Sequence, residues 1–259
     1  MRPQHPDRRP AVVTGASSGI GAAAAVALAG AGYPVALGAR RVDKCEELAE
    51  QIRGSGGEAV VHALDLTDPD SVKAFAEAVT RSLGNVEVLV SNAGRLAPGA
   101  IHAVDTGEFG RDVDLNLVGA HRLVRAFVPG MVARQRGDVV FVSSDVAGRA
   151  RPFVSAYTAS KWGLEGMAHQ LQMELEGTGV RASIVRPGPT RSELGTDFSA
   201  EDVELLIAKW VHWGHARHPR MLRSSAIADA ILSVVSAPRG VHINAIEVSP
   251  EAPIIEVDA

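Results

Sequence analysis

Residues 14–21 read Thr14-Gly15-Ala16-Ser17-Ser18-Gly19-Ile20-Gly21, directly after the short apolar run 11–14 and directly before the alanine-rich stretch 22–29. An apolar run of four residues, a turn with three glycines and a run of small helix-forming residues together spell strand, tight turn, helix. Glycines let the backbone turn sharply and come close to a pyrophosphate, and the following helix start offers free N–H groups and the positive end of its dipole. Ala22 to Ala25 keep the helix surface flat, so it can lie close to a sheet. The spacing is Gly-x-x-x-Gly-x-Gly, different from the Gly-x-Gly-x-x-Gly of ordinary dinucleotide-binding turns. A plain βα connection uses glycine as well, so what the turn does depends on its surroundings.

Outward from this turn, apolar runs rich in Val, Leu and Ile recur at 34–37, 59–63, 86–90, 139–142, 182–185 and 245–248. None alternates strictly, which fits parallel strands covered on both faces. Between them lie helical stretches at 19–29, 43–53, 69–83, 111–134, 154–176 and 225–235, the third opening with Pro69 behind the capping residue Asp68. Strand–helix alternation of this length implies an α/β doubly wound sheet with helices on both faces. No repeat or linker divides the 259 residues, so one domain is expected, with a polar tail at 1–9. The irregular insertion 187–224, between the sixth strand and the last helix, falls at the carboxyl end of the sheet and is expected to be a substrate lid.

Composition narrows the classes. Hydrophobic residues at 46% and charged residues at 22% describe a globular chain, and a net charge of −4 supplies no basic field for nucleic acid. Cys45 is the one cysteine, which excludes an intrachain disulfide and fits a reducing compartment. The first ten residues are polar and rich in Pro and Arg, with no apolar core of a secretory signal, and no apolar run nears the roughly 20 residues of a membrane span. A cytoplasmic location is expected. The basic residues are 22 arginines and four lysines, and Tyr33 and Tyr157 are the two tyrosines.

Further motifs follow in order. Asp65-Leu66 stands after the third strand and Ser91-Asn92-Ala93-Gly94 after the fourth. Asn116 lies in Asp114-Leu115-Asn116-Leu117-Val118-Gly119, Ser143-Ser144 follows the fifth strand, then come Tyr157-Thr158-Ala159-Ser160-Lys161, and Pro187-Gly188 after the sixth strand. With the glycine spacing, this series resembles the short-chain dehydrogenase/reductase family over nearly the whole chain. The resemblance implies a Rossmann-type, seven-stranded parallel sheet in the order 3-2-1-4-5-6-7. It also implies hydride transfer between a nicotinamide cofactor and a carbonyl or secondary alcohol, in a homodimer or homotetramer.

The residues carry that chemistry on their own terms. Tyr157 and Lys161 are four apart in a helical stretch and share a face. An ammonium near a phenol favours the phenolate; moving tyrosine from about 10 to near 7 takes about 4 kcal/mol, to which the positive nicotinamide could add. A phenol so tuned is a general acid for a carbonyl oxygen or a base for an alcohol. An i,i+4 pair on a solvated face is the bland alternative, and the scarcity of both residue types argues against it. Ser144, thirteen residues before Tyr157, can donate to the substrate oxygen. Ser143 competes for that role, and the family's spacing selects Ser144. By resemblance, Asn116 holds a water linking Lys161 to solvent, and Lys161 also holds the nicotinamide ribose.

Cofactor choice turns on the end of the second strand. NAD-selective sites place a carboxylate there. This chain has Ala39-Arg40-Arg41 and no carboxylate before Asp43. Arg40, with Arg41 beside it and hydroxyl help from Ser17 and Ser18, can pair with a 2′-phosphate, so NADP(H) is expected. With Gly15, Gly19, Ile20 and Gly21 on the pyrophosphate side, the resemblance sends Asp65 and Leu66 to the adenine and Asn92, Ala93 and Gly94 to the adenosine ribose. Pro187 and Gly188 go to the carboxamide, with Ser192 or Thr190 as the family's threonine. Asp65 could instead cap the helix near Pro69, although Asp68 is better placed.

Phe198, Leu205, Leu206, Ile207, Trp210, Trp213, Met221 and Leu222 in the insertion suggest an apolar cover and a fairly bulky ketone or alcohol. His212, His215 and His218 recur every third residue, but no cysteine or carboxylate completes a ligand set and hydride transfer needs no metal, so none is expected. The carboxyl end lacks the glycine pair of acyl-chain reductases resembling this family. Two rival readings are an NAD-dependent secondary-alcohol dehydrogenase and a non-catalytic NADPH sensor on the same fold.

Overall fold

The computed structural model describes residues 7–194, 198–214 and 220–253. Seven strands, β1 (Ala11–Thr14), β2 (Val35–Ala39), β3 (Ala59–Ala63), β4 (Val88–Ser91), β5 (Gly137–Val142), β6 (Val180–Pro187) and β7 (Ala245–Val248), form one sheet. All pairings are parallel and the order is β3-β2-β1-β4-β5-β6-β7, as the resemblance implied. Around it pack α1 (Gly19–Gly30), α2 (Val42–Gly54), α3 (Pro69–Leu83), α4 (Thr106–Val113), α5 (Gly119–Ala133), α6 (Ser155–Glu174), α7 (Ala200–His212) and α8 (Ser224–Val235).

The missing alternation in the strands has its cause here. Val13, Leu37, Val90 and Val142 face a core made with Leu28 of α1, Ile52 of α2 and Ile231 of α8. Val12, Ala36, Leu89 and Phe141 face the opposite core, made with Phe75 of α3, Leu123 of α5 and Leu164 of α6. Every residue of β1, β2, β4 and β5 is buried, so each position is apolar or small except Asp138, whose carboxylate is paired with Arg9 and Arg181. The helix start at Pro69 is as read: the Asp68 carboxylate accepts from the Asp70 N–H at 2.9 Å.

One expected helix is corrected. The stretch 111–134 belongs to a longer helical run that begins at Thr106, where the Asp105 carboxylate caps the Glu108 N–H at 3.0 Å. A single π turn over Asp114–Val118 then interrupts it, with the Gly119 N–H reaching the Asp114 carbonyl. One extra residue is looped out there, and Asn116 lies in it; π turns of this kind cluster at functional positions. The insertion 187–224 contains α7, and Thr190 bridges to Leu222 at its base.

The stretch expected as a polar tail contributes to the interior. Arg9 is 3% exposed and donates to Asp138, to Glu87 and to the Val235 carbonyl. Arg181 closes the cluster on Asp138 at 2.6 Å. These contacts sit at the amino ends of the strands, opposite the glycine turn. No helix among the described residues is long and apolar enough to cross a membrane.

Candidate active site

β1 pairs with β2 on one side and β4 on the other, so the chain leaves the sheet in opposite directions and opens a crevice at the strands' carboxyl ends. The cleft there has a volume of about 910 Å3. Gly15, Ser17, Ser18, Gly19 and Ile20 form its floor. Gly15 is held at φ +65°, and a side chain on it would press on the Ala93 backbone at 2.9 Å. A side chain on Gly21 would collide with the Gly15 carbonyl, so the turn closes only with glycine at both places. Thr14, not singled out from sequence, ties the turn to β4: its hydroxyl accepts from the Asn92 and Ala93 N–H groups at 3.0 and 3.1 Å. The Asn92 amide donates to the Thr14 carbonyl at 2.9 Å, so its side chain fastens the two strand ends while Ala93 and Gly94 line the cleft.

Of the expected catalytic residues, Lys161 lines the cleft, next to Val142. Tyr157 and Lys161 lie one turn apart on α6, with the ammonium 5.5 Å from the phenol ring centre. Both are deeply buried. Lys161 donates to the Val142 carbonyl at 2.8 Å at the end of β5. Ser144 follows β5; its hydroxyl donates to the Asp145 carboxylate at 3.3 Å, accepts from the Val146 N–H at 3.4 Å and lies near enough to the phenol to favour its ionisation, whereas the buried Ser143 hydroxyl finds no partner among the described residues. Asn116 is fully engaged by protein groups through its amide hydrogens: they go to the Arg95 carbonyl and the Ser160 hydroxyl, each at 2.9 Å. Its Oδ1 accepts from the Arg95 N–H at 2.8 Å. Ser160, in turn, donates to the Tyr157 carbonyl. Asn116 therefore braces α6 against the loop after β4, a use that the motif's mere presence does not reveal.

Without a cofactor, burial dominates the electrostatics of the pair. Burial pushes the Tyr157 phenol up to about 12, and the nearby Ser144 hydroxyl offsets only part of this. Burial also pulls Lys161 down to about 8, with Glu165 acting against it. The protein's own groups therefore do not bring the phenol near neutrality, because desolvation penalises the phenolate more than its neighbours favour it. Beside Ser144, Asp145 is paired with Arg151, and burial pushes its carboxyl up while Arg151 works against that. Arg151 also lies over the Trp210 ring at 5.0 Å.

At the other end of the cleft, Arg40, Arg41, Asp65 and Leu66 line the wall. Arg41, rather than Arg40, reaches the serines: its guanidinium donates to Ser17 at 2.9 Å and to Ser18 at 3.0 Å. Asp65 holds its own turn, with Oδ1 accepting from the Thr67 N–H and hydroxyl, and these bonds lower its carboxyl below the usual range. Of the residues read after β6, Ser192 sits against Gly19 and lines the cleft. Gly188 packs against Val248, to whose carbonyl it donates at 2.8 Å. The Thr190 hydroxyl is committed to the Gly188 carbonyl at 2.8 Å. Over Tyr157 lie Leu206, Val146 and Val154, flanked by Leu96, Phe153, Phe198 and Trp210. His212 packs edge-on to Trp213, and the described residues hold no cluster of metal-ligating side chains. His215, His218 and the Ile207 side chain lie outside the described residues.

The model of the short chain dehydrogenase family matches residues 9–202. The chain belongs to that family. It is an oxidoreductase of the short-chain dehydrogenase type, and its solved relatives agree in fold. An alcohol dehydrogenase from Thermococcus sibiricus, solved with 5-hydroxy-NADP, superposes with a TM-score of 0.81 at 29% identity, covering 95% of this chain and all of that one. A metagenomic short-chain oxidoreductase in complex with NADP gives 0.79 at 33% identity, covering 95% and 98%. Among sequences, a glycine betaine reductase of Emericella nidulans is 38% identical over 93% of this short-chain dehydrogenase, which spans only 18% of that protein's length.

Proposed function

We propose that this short-chain dehydrogenase interconverts a carbonyl and a secondary alcohol with NADP(H), and that a fairly bulky apolar ketone is its substrate. The observation that carries the reading is the buried Tyr157–Lys161 pair, whose lysine lines a cleft floored by the glycine turn. The residues fit a dinucleotide. The glycine turn and the start of α1 line the cleft at Gly15, Ser17, Ser18, Gly19 and Ile20, and Arg41 gathers with Ser17 and Ser18 at one spot. The end of β2 at Ala39 has no carboxylate to repel a 2′-phosphate. The two NADP complexes among the solved relatives support the same choice.

When bound, the nicotinamide supplies or takes up the hydride. Tyr157, protonated well beyond neutral pH, serves as general acid to the carbonyl oxygen, and Ser144 donates to that oxygen as negative charge develops on it. Lys161 stabilises the phenolate left behind and holds the cofactor ribose. Asn116 and Ser160 fix the height of α6 relative to the cleft. The apolar group above Tyr157 excludes water and receives the substrate, with the insertion 187–224 as lid. A single-domain, cytoplasmic homo-oligomer completes the proposal, with the exposed Val118, Trp162 and Met173 as candidate contact residues.

Titration with NADPH and NADH by nicotinamide fluorescence tests it, with the parent chain beside Arg41→Ala and Arg40→Ala. Arg41→Ala is expected to weaken NADPH about tenfold, the loss of one charge-assisted contact at a half-exposed site, and to leave NADH unchanged. Equal binding of both dinucleotides by the parent would overturn the NADP(H) assignment, and binding of neither would favour a non-catalytic role.

A further inference from the structure

We propose that Glu193 sets cofactor specificity by competing with the 2′-phosphate of NADP(H) for Arg41; this rests on Arg41 being the phosphate's partner, as argued above. The Glu193 carboxylate lies 2.7 Å from the Arg41 guanidinium. It also hydrogen-bonds to Ser18, and these contacts, Arg41 first, hold its carboxyl below the usual range. Arg41 meanwhile donates to Ser17 and Ser18. A carboxylate therefore occupies the donor set that an incoming phosphate needs. Both anions cannot share one guanidinium without mutual repulsion, and Glu193 stays ionised throughout the neutral range.

Glu193 comes from the segment after β6, next to Ser192, which packs on Gly19. The same segment is fastened at its other side by Arg191 and Thr190 to Leu222. The carboxylate is thus delivered to the phosphate end of the cleft by the base of the lid. NAD(H), with a ribose hydroxyl in place of the phosphate, leaves the Arg41–Glu193 pair intact. The residue accordingly narrows the gap between the two cofactors, and removing its charge widens it.

Calorimetric titration with adenosine 2′,5′-bisphosphate, adenosine 5′-monophosphate, NADPH and NADH, on the parent, Glu193→Gln, Arg41→Ala and the double variant, decides the matter. Both partners are about half exposed, so Glu193→Gln is expected to tighten the two 2′-phosphate ligands about three- to fivefold, more at low salt. The monophosphate and NADH should not change, and the gain should vanish when Arg41 is already alanine. Unchanged binding of the 2′-phosphate ligands, an equal shift for all four ligands, or weaker NADH binding in Glu193→Gln would overturn the proposal. If Arg41→Ala leaves NADPH binding untouched, the cofactor assignment itself fails. If Arg41→Ala weakens NADPH while Glu193→Gln changes nothing, the assignment stands and the competition alone is refuted.

Discussion

Lys161 is expected to destabilise the folded chain at neutral pH, so Lys161→Met should stabilise it while abolishing turnover. The drop of this amine from 10.5 to about 8 by burial corresponds to about 3 kcal/mol against the charged form. The sign follows from linkage. Above the unfolded value of about 10.4 the amine is neutral in both states and costs nothing. As the pH falls toward 8 the unfolded chain binds a proton that the folded chain does not, and stability declines; below 8 the full cost is present. Methionine removes this cost but leaves the Val142 carbonyl without its donor, a loss of about 1–2 kcal/mol. The variant should therefore be about 1–2 kcal/mol more stable at pH 7 and about as much less stable above pH 10.5, with the two curves crossing between. Urea unfolding at several pH values between 6.5 and 10.5, without added dinucleotide, measures the difference. A variant less stable than the parent at pH 7, or a difference that does not vary with pH, would refute the reasoning.

Two further outcomes are expected. Tyr157→Phe should lower carbonyl-reduction turnover by at least about 100-fold while nicotinamide fluorescence still reports saturable NADPH binding; retained turnover would remove the phenol from its role. Asp138→Asn should destabilise the chain by about 3–5 kcal/mol, because it leaves the buried Arg9 and the nearly buried Arg181 facing a neutral amide. Thermal unfolding should show a fall of roughly 6–15 °C, and a change under about 2 °C would mean that Glu87 alone can balance the cluster.

Most of the sheet could be read from sequence because a doubly covered strand leaves an unmistakable apolar run, and helix α3 announced itself through Asp68 and Pro69. The π turn at Asn116 could not: looping out one residue leaves the apolar periodicity on either side almost unchanged, so 111–134 reads as one helix. The choice between Arg40 and Arg41 depends on the backbone at the start of α2, where Arg41 has φ −86° and ψ 80°, and adjacent arginines look alike until that is known. Ser192 and Thr190 are likewise separated only by the turn after β6. The Tyr157–Lys161 pair was legible, but its electrostatics were not. Proximity of charge shows in the spacing, whereas desolvation depends on what covers the pair, and Leu206 arrives from half a hundred residues away. Arg9 was hidden for the same reason, since its partners Asp138 and Val235 are remote in sequence.

The packing of α1 against α8 bears on how such a chain can be made. β1 lies inside the sheet, between β2 and β4, yet precedes the other six strands in the chain, and the α1 that follows it presents Leu28 and neighbouring alanines to Ile227 and Ile231 of α8. A ribosome must add some two hundred residues before that apolar face has its cover. Until then the nascent amino-terminal half carries an unpaired edge on β1 or β4 and a bare helix flank, the surfaces on which chains stick to one another. Folding dominated by contacts distant in sequence, and therefore slow, follows from the strand order itself.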